Sequence, residues 1–550
     1  MALPRVNALV VGAGAGGGVV AKELSEAGLS VVLLERGDWP HYDAHNDDEL
    51  VSQRTPVLGN PYGPDDARHR RVVVNEDGSS SVVLPSEGAY SNNAGCVGGG
   101  TVSYGAMAWR YMPQDFRMRS TYGTVKDSTL DDWPIGYDDL EPYYEKAEYE
   151  FGVAGDYADN PFGAPRRKPF PMPAFPYNRE GQRVAEATRR MGLHPFPIPM
   201  LRNSVPYNGR PACIHMRSCV GFACPVDAKA GSQNTVIPRA LATGHCELRT
   251  GCVVAEVLVD DRGRAQGVRY FDREGQGWEQ LADLVVVSAS ATETARLLLN
   301  SRSKLFPNGA GNNNDWVGRN LQGHGYVGAF GLASDEVYEE AGPGATVAFC
   351  DFNHGNPGLV GGGMLANEFI ALPYVFCDVR PPGEPRWGKA HKDFQRQYYK
   401  RVMRLYGPIQ EIPNFSARVS VDLSVKDAWG IPVCRLSGSR HPHDHELGEF
   451  MSGKAEQVLK EMGATRTWRG RLGPGLSGGQ HQAGTCRMGN DPATSVTNRN
   501  GQVHGIDNLF IADASLHVTN GGFNPVLTIL AVAYWVSDHI KSGWKGGGFS

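Results

Sequence analysis

The sequence lacks the features that define several large classes of protein. Its 54 Lys and Arg residues are outnumbered by 59 Asp and Glu residues, for a net charge of −5, so we expect no nucleic-acid partner. The apolar stretch at 526–536 is too short to span a bilayer and predicts a buried helix instead. Ten cysteines in 550 residues is well below the density of a disulfide-stabilised secreted domain. We expect a large globular protein without a membrane span.

A targeting segment is also missing from the N-terminus. Residues 1–5 lead directly into the first apolar run, which leaves no room for a cleavable signal or a twin-arginine segment. We therefore expect a cytoplasmic protein. A chain of 550 residues exceeds what one hydrophobic core usually serves, so two domains built from interleaved segments are predicted. The sequence leaves the oligomeric state open.

The first 35 residues contain most of a dinucleotide-binding unit. A short apolar run is followed by the glycine-rich segment 12–17, a helical pattern and a second apolar run at 31–34. Gly12 permits a tight turn, Gly14 lets the backbone approach a pyrophosphate, and Gly17 lets the helix pack closely on the strand. The N-terminus of the helix directs N–H groups at the phosphate charge.

Glu35 follows the second apolar run, at the end of the second predicted strand. A carboxylate at this position accepts hydrogen bonds from both ribose hydroxyls and repels a 2′-phosphate, which indicates FAD or NAD rather than NADP. The strand, the helix and this acidic residue together distinguish the glycine pattern from a glycine-rich loop, even in a chain with 69 glycines.

The rest of the chain alternates between strand and helix patterns. Residues 40–90 are polar and proline-rich with no sustained period, which indicates long loops or a lid. Residues 253–259 and 267–271 predict a hairpin, and 284–287 predict another strand that leads into a helix. Residues 310–475 contain more strand-like than helical stretches, and they predict a separate sheet-based substrate domain.

A second group of chemically informative residues lies near the C-terminus, in the segments 481–489, 508–515 and 521–528. Together with the N-terminal unit they resemble the glucose–methanol–choline (GMC) flavoprotein oxidoreductases. The most similar branch contains pyranose oxidases, cellobiose dehydrogenases and sugar or gluconate dehydrogenases. The similarity covers both ends of the chain and patches between them, and it covers 310–475 poorly.

The resemblance implies an α/β two-domain fold of the glutathione-reductase-like type, in which a Rossmann-like FAD-binding domain is interleaved with a sheet-based substrate domain. The FAD-binding domain is predicted at 1–39, 85–125, 225–310 and 476–550, and the lid and substrate-binding domain at 40–84, 126–224 and 311–475.

The resemblance assigns the catalytic pair to His481 and Asn524, as in the His/Asn subset of the family. Elementary chemistry agrees with this assignment. Oxidation of an alcohol requires loss of a hydroxyl proton and transfer of a hydride to flavin N5, and neutral imidazole has a pKa suited to accepting the proton. An amide cannot act as a base, so Asn524 is expected to orient the substrate oxygen.

By the same resemblance, Asp513 lies under the ribityl chain or the pyrophosphate, and residues 98–104 pass the flavin ring. Several pyranose oxidases carry a flavin-linked histidine in that segment. Ser103 occupies the matching position, and because a hydroxyl cannot form the histidyl link, we expect non-covalent FAD. The predicted cofactor-binding residues are Gly12, Gly14, Gly17, Glu35, Gly98, Gly99, Thr101, Ser103, Val253, Asp513, Ala514, Asn524 and Pro525.

Cys213, Cys219 and Cys224 form a group in one short loop. Their spacing matches no common zinc or ferredoxin pattern, which favours structural thiols. Some sugar dehydrogenases of the similar branch hold a three-cysteine iron–sulfur cluster in a matching segment, and close relatives without a cluster also keep cysteines there. We predict no metal site and leave the cluster open.

The leading functional hypothesis is an FAD-dependent oxidation of a secondary hydroxyl of a sugar or glycoside to a ketone, with electrons passed to O2 or a quinone-like acceptor. The alternatives are a polyol- or gluconate-type dehydrogenase with a partner acceptor, a redox-silent lyase on the same fold, a non-catalytic FAD-binding module and an NAD-linked dehydrogenase. The sequence leaves the sugar, the oxidised carbon and the choice between oxidase and dehydrogenase open.

Overall fold

The structure is a computed structural model that describes residues 2–40, 42, 48–91, 93–157, 160–473, 475–476 and 481–547. Its strands are β1 (Ala2–Val11), β2 (Val31–Leu34), β3 (Val51–Ser52), β4 (Thr55–Pro56), β5 (Arg71–Val74), β6 (Ser80–Val83), β7 (Phe196–Pro197), β8 (Cys246–Arg249), β9 (Val253–Val259), β10 (Ala265–Phe271), β11 (Gly277–Val287), β12 (Tyr326–Leu332), β13 (Val347–Phe349), β14 (Leu365–Asn367), β15 (Val402–Pro408), β16 (Arg418–Lys426), β17 (Pro432–Ser437), β18 (Arg466–Arg469) and β19 (Leu509–Ile511). Its α-helices are α1 (Ala15–Glu26), α2 (Met118–Tyr122), α3 (Tyr137–Phe151), α4 (Arg179–Arg190), α5 (Val236–Ala242), α6 (Ala291–Asn300), α7 (Pro373–Phe376), α8 (Gly388–Tyr398), α9 (Pro442–Glu461) and α10 (Val526–Lys545).

The largest sheet has the order β8-β2-β1-β11-β10-β9, and β19 pairs with the carboxyl-terminal half of β11. β8, β2, β1, β11 and β19 run parallel, as expected for strands joined by crossover helices. The apolar side chains of β2, of β19 and of the carboxyl-terminal ends of β1 and β11 are buried. The predicted strand at 31–34 is confirmed at those residues as β2. In such sheets, ligands bind beyond the carboxyl ends of the strands.

The predicted hairpin is confirmed as β9 and β10, which pair antiparallel. β11 is longer than the predicted strand at 284–287 because it begins at Gly277. Its first half, which includes Glu279 and Gln280, pairs with β10, and its second half pairs with β19. Only the second half is continuously apolar, so the apolar pattern marked only that part of the strand.

A second sheet of order β18-β12-β15-β14-β13-β7 lies in the region predicted to be sheet-based, with β7 added from residues 196–197. Side chains alternate between its two faces. Val327 and Ala329 of β12 belong to an apolar cluster with Leu447 and Met451 of α9, so α9 covers one face. The other face borders the site described below.

Within the predicted lid segment 40–84, β5 and β6 complete a third sheet of order β16-β17-β5-β6. Residues 41 and 43–47 of that segment lie outside the described residues. The segment is therefore partly strand rather than loop alone, because β5 gains backbone partners on β17 from a distant part of the chain. The boundaries of the two interleaved domains stay predictions.

The predicted buried helix at 526–536 is confirmed as the first half of α10. Its residues Leu527, Leu530, Ala531 and Tyr534 are fully buried. Across the part of the chain that the structure describes, the helices are all too short or too polar to cross a bilayer. The cytoplasmic location stays a prediction.

Candidate active site

A cavity of about 1050 Å³ lies at the carboxyl ends of β1 and β2 and extends to the free face of the second sheet. Its volume is at the upper end of the range for ligand sites, which is about 300–1,000 Å³. The glycine-rich turn after β1 lines one end, and His481 and Asn524 lie in its wall together with Tyr326 of the second sheet.

Two glycines that have no room for a side chain shape the turn after β1. Gly12 adopts a φ of 99°, and a Cβ there would lie 2.4 Å from the carbonyl oxygen of Ser288. A Cβ on Gly17 would lie 1.9 Å from the carbonyl oxygen of Gly12, so Gly17 is required for α1 to approach the strand. A Cβ on Gly14 would meet nothing within 4 Å. The N-terminus of α1 is therefore open to the cavity, and its N–H groups suit a phosphate.

Glu35 lies in the cavity wall at the end of β2. Its Oε2 accepts a hydrogen bond from the Ala13 N–H at 2.8 Å, and its Oε1 accepts one from the Gly37 N–H at 3.0 Å. Burial raises the pKa of this carboxyl, and these two N–H groups act in the opposite direction. A carboxylate has about four acceptor positions, so capacity remains for two ribose hydroxyls.

The segment 98–103 passes directly beside the glycine turn. The Gly98 N–H donates to the carbonyl of Ala13 at 2.9 Å, and a Cβ on Gly99 would lie 3.2 Å from the Cα of Gly14. Ser103 is buried and belongs to the cavity lining. The close contact between the two loops explains why this segment begins with consecutive glycines.

Asp513 fixes two segments of the wall to each other. Its carboxylate accepts hydrogen bonds from the N–H and the hydroxyl of Ser515 at 2.8 and 2.5 Å, from the Ser290 N–H at 3.0 Å and from the Thr294 hydroxyl at 2.6 Å. Burial raises its pKa, and the hydrogen bonds oppose that effect. The loop after β11 and the loop after β19 are thereby joined beside the cavity.

Most of the predicted cofactor-binding residues meet in this one cavity. Its lining includes Gly12, Gly14, Glu35, Gly99, Thr101, Ser103, Val253, Asp513, Ala514, Asn524 and Pro525. Gly17 and Gly98 are described by the structure but are not among the lining residues. Their close contacts determine the paths of the glycine turn and of the segment 98–103.

His481 borders the cavity in a left-handed backbone conformation, with a φ of 57°. Its carbonyl accepts a hydrogen bond from the Asn520 side-chain amide at 2.8 Å, which holds this strained residue. Its Nδ1 lies 2.8 Å from the Nδ1 of His324. Burial, and then the proximity of His324, lower the pKa of His481 well below the ordinary imidazole value. The residue is therefore neutral at physiological pH.

The side chain of Asn524 is held at both ends of its amide. Its Oδ1 accepts a hydrogen bond from the Trp109 indole at 3.1 Å, and its Nδ2 donates to the Tyr326 hydroxyl at 2.8 Å. The ring of Tyr326 lies 5.9 Å from that of His481. One amide proton of Asn524 and the hydroxyl proton of Tyr326 are thus left to donate to a ligand beside His481.

The side chains that the second sheet presents to the cavity were not predicted from the sequence. Tyr326 and Phe330 of β12, and Arg404 and Tyr406 of β15, all line it together with Glu368. They share one face because β12 and β15 pair antiparallel and side chains alternate along each strand. The aromatic residues at 326 and 330, separated by small residues, were the only sequence signal.

Two histidines and a tryptophan of the region 310–475 are not part of the cavity lining. His441 caps the N-terminus of α9, where its ring accepts the His443 N–H. The Nε2 of His443 accepts the N–H of Val360 at 3.0 Å. Trp429 packs against His69. Each of the three therefore has a structural partner outside the cavity.

Cys213, Cys219 and Cys224 are half-buried free thiols. Burial raises the pKa of Cys213. Beside them, the buried ammonium of Lys229 donates to the carbonyls of Tyr104, Cys219 and Phe222. Among the residues described by the structure, the His, Cys, Asp and Glu side chains form no group of three that is arranged to hold a metal ion.

Most of the chain matches known protein families and proteins. The family model for GMC oxidoreductases matches residues 72–326 with its N-terminal part and residues 416–533 with its C-terminal part, and a model for NAD(P)-binding Rossmann-like domains matches residues 10–49. The chain is 31% identical to 2-methyl-1,2-propanediol dehydrogenase from Mycolicibacterium austroafricanum, over 98% of this chain and 95% of that protein. It is 27% identical to the fructose dehydrogenase large subunit from Gluconobacter japonicus, over 98% of each.

Among solved structures, pyridoxine 4-oxidase from Mesorbium loti superposes with a TM-score of 0.61 at 18% identity, covering 97% of this chain and 99% of that one. At this identity the similarity concerns the fold alone. Together with the Rossmann-like match, it confirms the predicted α/β two-domain class.

Proposed function

The chain belongs to the GMC oxidoreductase family, and from that premise we propose that it oxidises a secondary hydroxyl group of a sugar or glycoside to a ketone. It is an FAD-dependent oxidoreductase that acts on CH–OH groups. The observation that best supports the proposal is that one cavity contains both the phosphate-binding turn and the pair His481 and Asn524. We place the chain in the sugar-oxidising branch that includes pyranose oxidases and gluconate-type dehydrogenases.

The shape and chemistry of the cavity fit FAD. In the proposal, the glycine turn and the N-terminus of α1 hold the pyrophosphate, and Glu35 accepts hydrogen bonds from the hydroxyls of the adenosine ribose. Val253, Asp513 and Pro525 contribute to the walls. When bound, FAD supplies the acceptor for the hydride that leaves the substrate carbon. Ser103 offers no imidazole for a covalent link, so we propose that FAD is bound non-covalently.

His481 acts as the general base. Burial keeps its imidazole neutral, so it is ready to take the proton of the substrate hydroxyl as the C–H bond breaks. The free amide proton of Asn524 and the hydroxyl proton of Tyr326 donate to the substrate oxygen. Both donors are held by existing hydrogen bonds, so they need little reorganisation during the reaction. Electrons then pass to O2 or to a quinone-like acceptor.

The free face of the second sheet suits a polyhydroxylated substrate. Tyr326, Phe330 and Tyr406 offer aromatic surface, and Glu368 and Arg404 add polar groups that can bind hydroxyls. Apolar surface with a few placed polar groups is typical of small-molecule sites. We infer that these residues select the sugar and the carbon that is oxidised.

The proposal is tested by anaerobic flavin reduction with a panel of monosaccharides, glycosides and polyols, followed by identification of the oxidised carbon. A sugar or glycoside should bleach the flavin and yield a ketone. If only simple polyols bleach it, the substrate class is wrong. If none of the panel does, the redox-silent lyase becomes the better hypothesis.

His481→Ala should retain FAD and slow flavin reduction by about 10²–10⁴, the usual contribution of a positioned base. Asn524→Ala should slow it less, because Asn524 orients the oxygen and takes no proton. His194→Ala, a change at an exposed histidine outside the cavity, is the matched control and should leave the rate unchanged. A wild-type reduction rate in His481→Ala would show that the base is wrongly assigned.

A further inference from the structure

We propose that His324 is a positioning residue that fixes the tautomer of His481, so that the Nε2 of His481 is the atom that receives the substrate proton. This inference rests on the proposed function, in which His481 is the base. It concerns a residue on the loop before β12 for which the sequence analysis predicted no role.

The two imidazoles form one directed chain of hydrogen bonds. The Nε2 of His324 lies 2.5 Å from the carbonyl oxygen of Gly521. A carbonyl oxygen only accepts, so this Nε2 carries the hydrogen. In a neutral imidazole the other nitrogen is then an acceptor. The Nδ1 of His324 therefore accepts a hydrogen bond from the Nδ1–H of His481 at 2.8 Å, and the Nε2 of His481 is left without a proton.

The chain requires both histidines to be neutral, and the surroundings favour this. His324 is 4% exposed, and burial lowers its pKa. The charged groups that face it, Glu411 and Asp115, are already paired. Glu411 accepts from the Arg440 guanidinium at 3.1 Å, and Asp115 accepts from His354 at 3.0 Å and from the Met112 N–H at 2.7 Å. His517, the other titratable group nearby, also has a lowered pKa because of its burial.

The geometry directs the unprotonated nitrogen towards the cavity. His481 borders the cavity and His324 does not, so the ring edge of His481 that faces away from His324 is the one available to a ligand. The backbone of His481 is held by Asn520, which limits the positions that the ring can take. Without an acceptor at His324, His481 can carry its proton on Nε2, and that tautomer cannot accept a proton from the substrate.

Two variants of nearly equal shape separate this role from a purely structural one. His324→Asn keeps an acceptor oxygen near the position of Nδ1, whereas His324→Leu fills the same space without one. We expect the leucine variant to reduce its flavin about 10- to 100-fold more slowly at unchanged substrate affinity, by analogy with the loss that follows removal of the hydrogen-bond partner of a metal-binding histidine. The asparagine variant should recover most of the rate. If the leucine variant loses FAD, His324→Ala replaces it in the comparison.

The pH profile provides a second measurement. In addition to burial, a protonated His324 repels a protonated His481 and so lowers the pKa of His481; neither Asn nor Leu can carry that charge, so both variants should shift the acid limb of the reduction rate to higher pH. Equal slowing in the two variants would overturn the proposal in favour of a structural role, and an unmoved limb would refute the contact between the two imidazoles on which the proposal rests. If the leucine variant reduces its flavin at the wild-type rate while His481→Ala is slow, the role of His324 is refuted and the role of His481 stands. A wild-type rate in His481→Ala would instead refute the proposed function.

Discussion

Replacing Glu23 by Gln should weaken the attachment of the helix whose N-terminus borders the cavity. Glu23 lies on α1 and is 4% exposed. Its carboxylate accepts hydrogen bonds from Lys22 at 2.7 Å, from Lys146 of α3 at 2.7 Å and from Lys541 of α10 at 2.5 Å. Lys22 also pairs with Glu26 and Glu150, and Lys541 pairs with Asp538. A neutral amide at residue 23 still removes the carboxylate that all three ammonium groups share, so repulsion between them would increase and act on all three helices.

The magnitude follows from the pKa of Glu23. Burial raises this pKa, but the hydrogen bonds from Lys146, Lys22 and Lys541 outweigh burial and lower it from 4.5 to about 2. Such a difference corresponds to about 3 kcal/mol of stability at neutral pH. Because the pKa is depressed in the folded state, this contribution is complete above pH 4.5 and is lost as the pH falls towards 2. At pH 3 roughly half of it should remain.

The assay is denaturant-induced release of FAD from the wild type and variants, compared at pH 7 and pH 3. Glu26→Gln is the matched control, since it makes the same change three residues later on α1. The Glu26 side chain is 36% exposed and pairs with Lys22 at 3.2 Å and with Arg239 at 2.8 Å. At such a site we expect a loss of about 1 kcal/mol or less. Equal effects of the two variants at pH 7, or an undiminished effect of Glu23→Gln at pH 3, would refute the reasoning.

Two further predictions concern the cofactor and the cysteines. Acid or heat denaturation should release all flavin as free FAD, because Ser103 replaces a linking histidine; flavin that stays with the precipitated protein would contradict this. Purified protein should contain less than about one iron per chain and lack the broad absorption of an iron–sulfur cluster, because the spacing of Cys213, Cys219 and Cys224 matches no common cluster pattern. About three irons per chain, lost in Cys219→Ala, would show that this loop binds a cluster.

The sequence predicted the parts of the fold that depend on local pattern. β2 and the hairpin of β9 and β10 follow from uninterrupted strand patterns. The glycine turn follows from positions where the backbone leaves no room for any residue larger than glycine. The first half of β11 was missed because the polar residues Glu279 and Gln280 interrupt the apolar pattern, although this half pairs with β10. β5 was missed because its partner, β17, lies more than 350 residues away in the chain. Such pairing leaves no local signal.

The residues of the site also divide into those marked by a local sequence pattern and those brought together by contacts between distant segments. His481 and Asn524 were predicted from motifs near the C-terminus, whereas His324 and Tyr326 reach them from the start of the second sheet. Nothing in the segment 324–326 alone indicates that its side chains meet a histidine more than 150 residues later. Their roles depend on tertiary hydrogen bonds that sequence periodicity does not encode.

One loop links the two members of the proposed catalytic pair. Between residues 520 and 524 it supplies the Asn520 amide that holds the carbonyl of His481, the Gly521 carbonyl that orients His324, and Asn524 itself. In a buried site charge cannot distinguish the two nitrogens of a neutral imidazole, so the direction of the hydrogen-bond chain must do so. That direction begins at a backbone carbonyl, which no side-chain substitution removes. In the proposed mechanism, the loop thereby sets both the atom of His481 that takes the proton and the amide that meets the substrate oxygen.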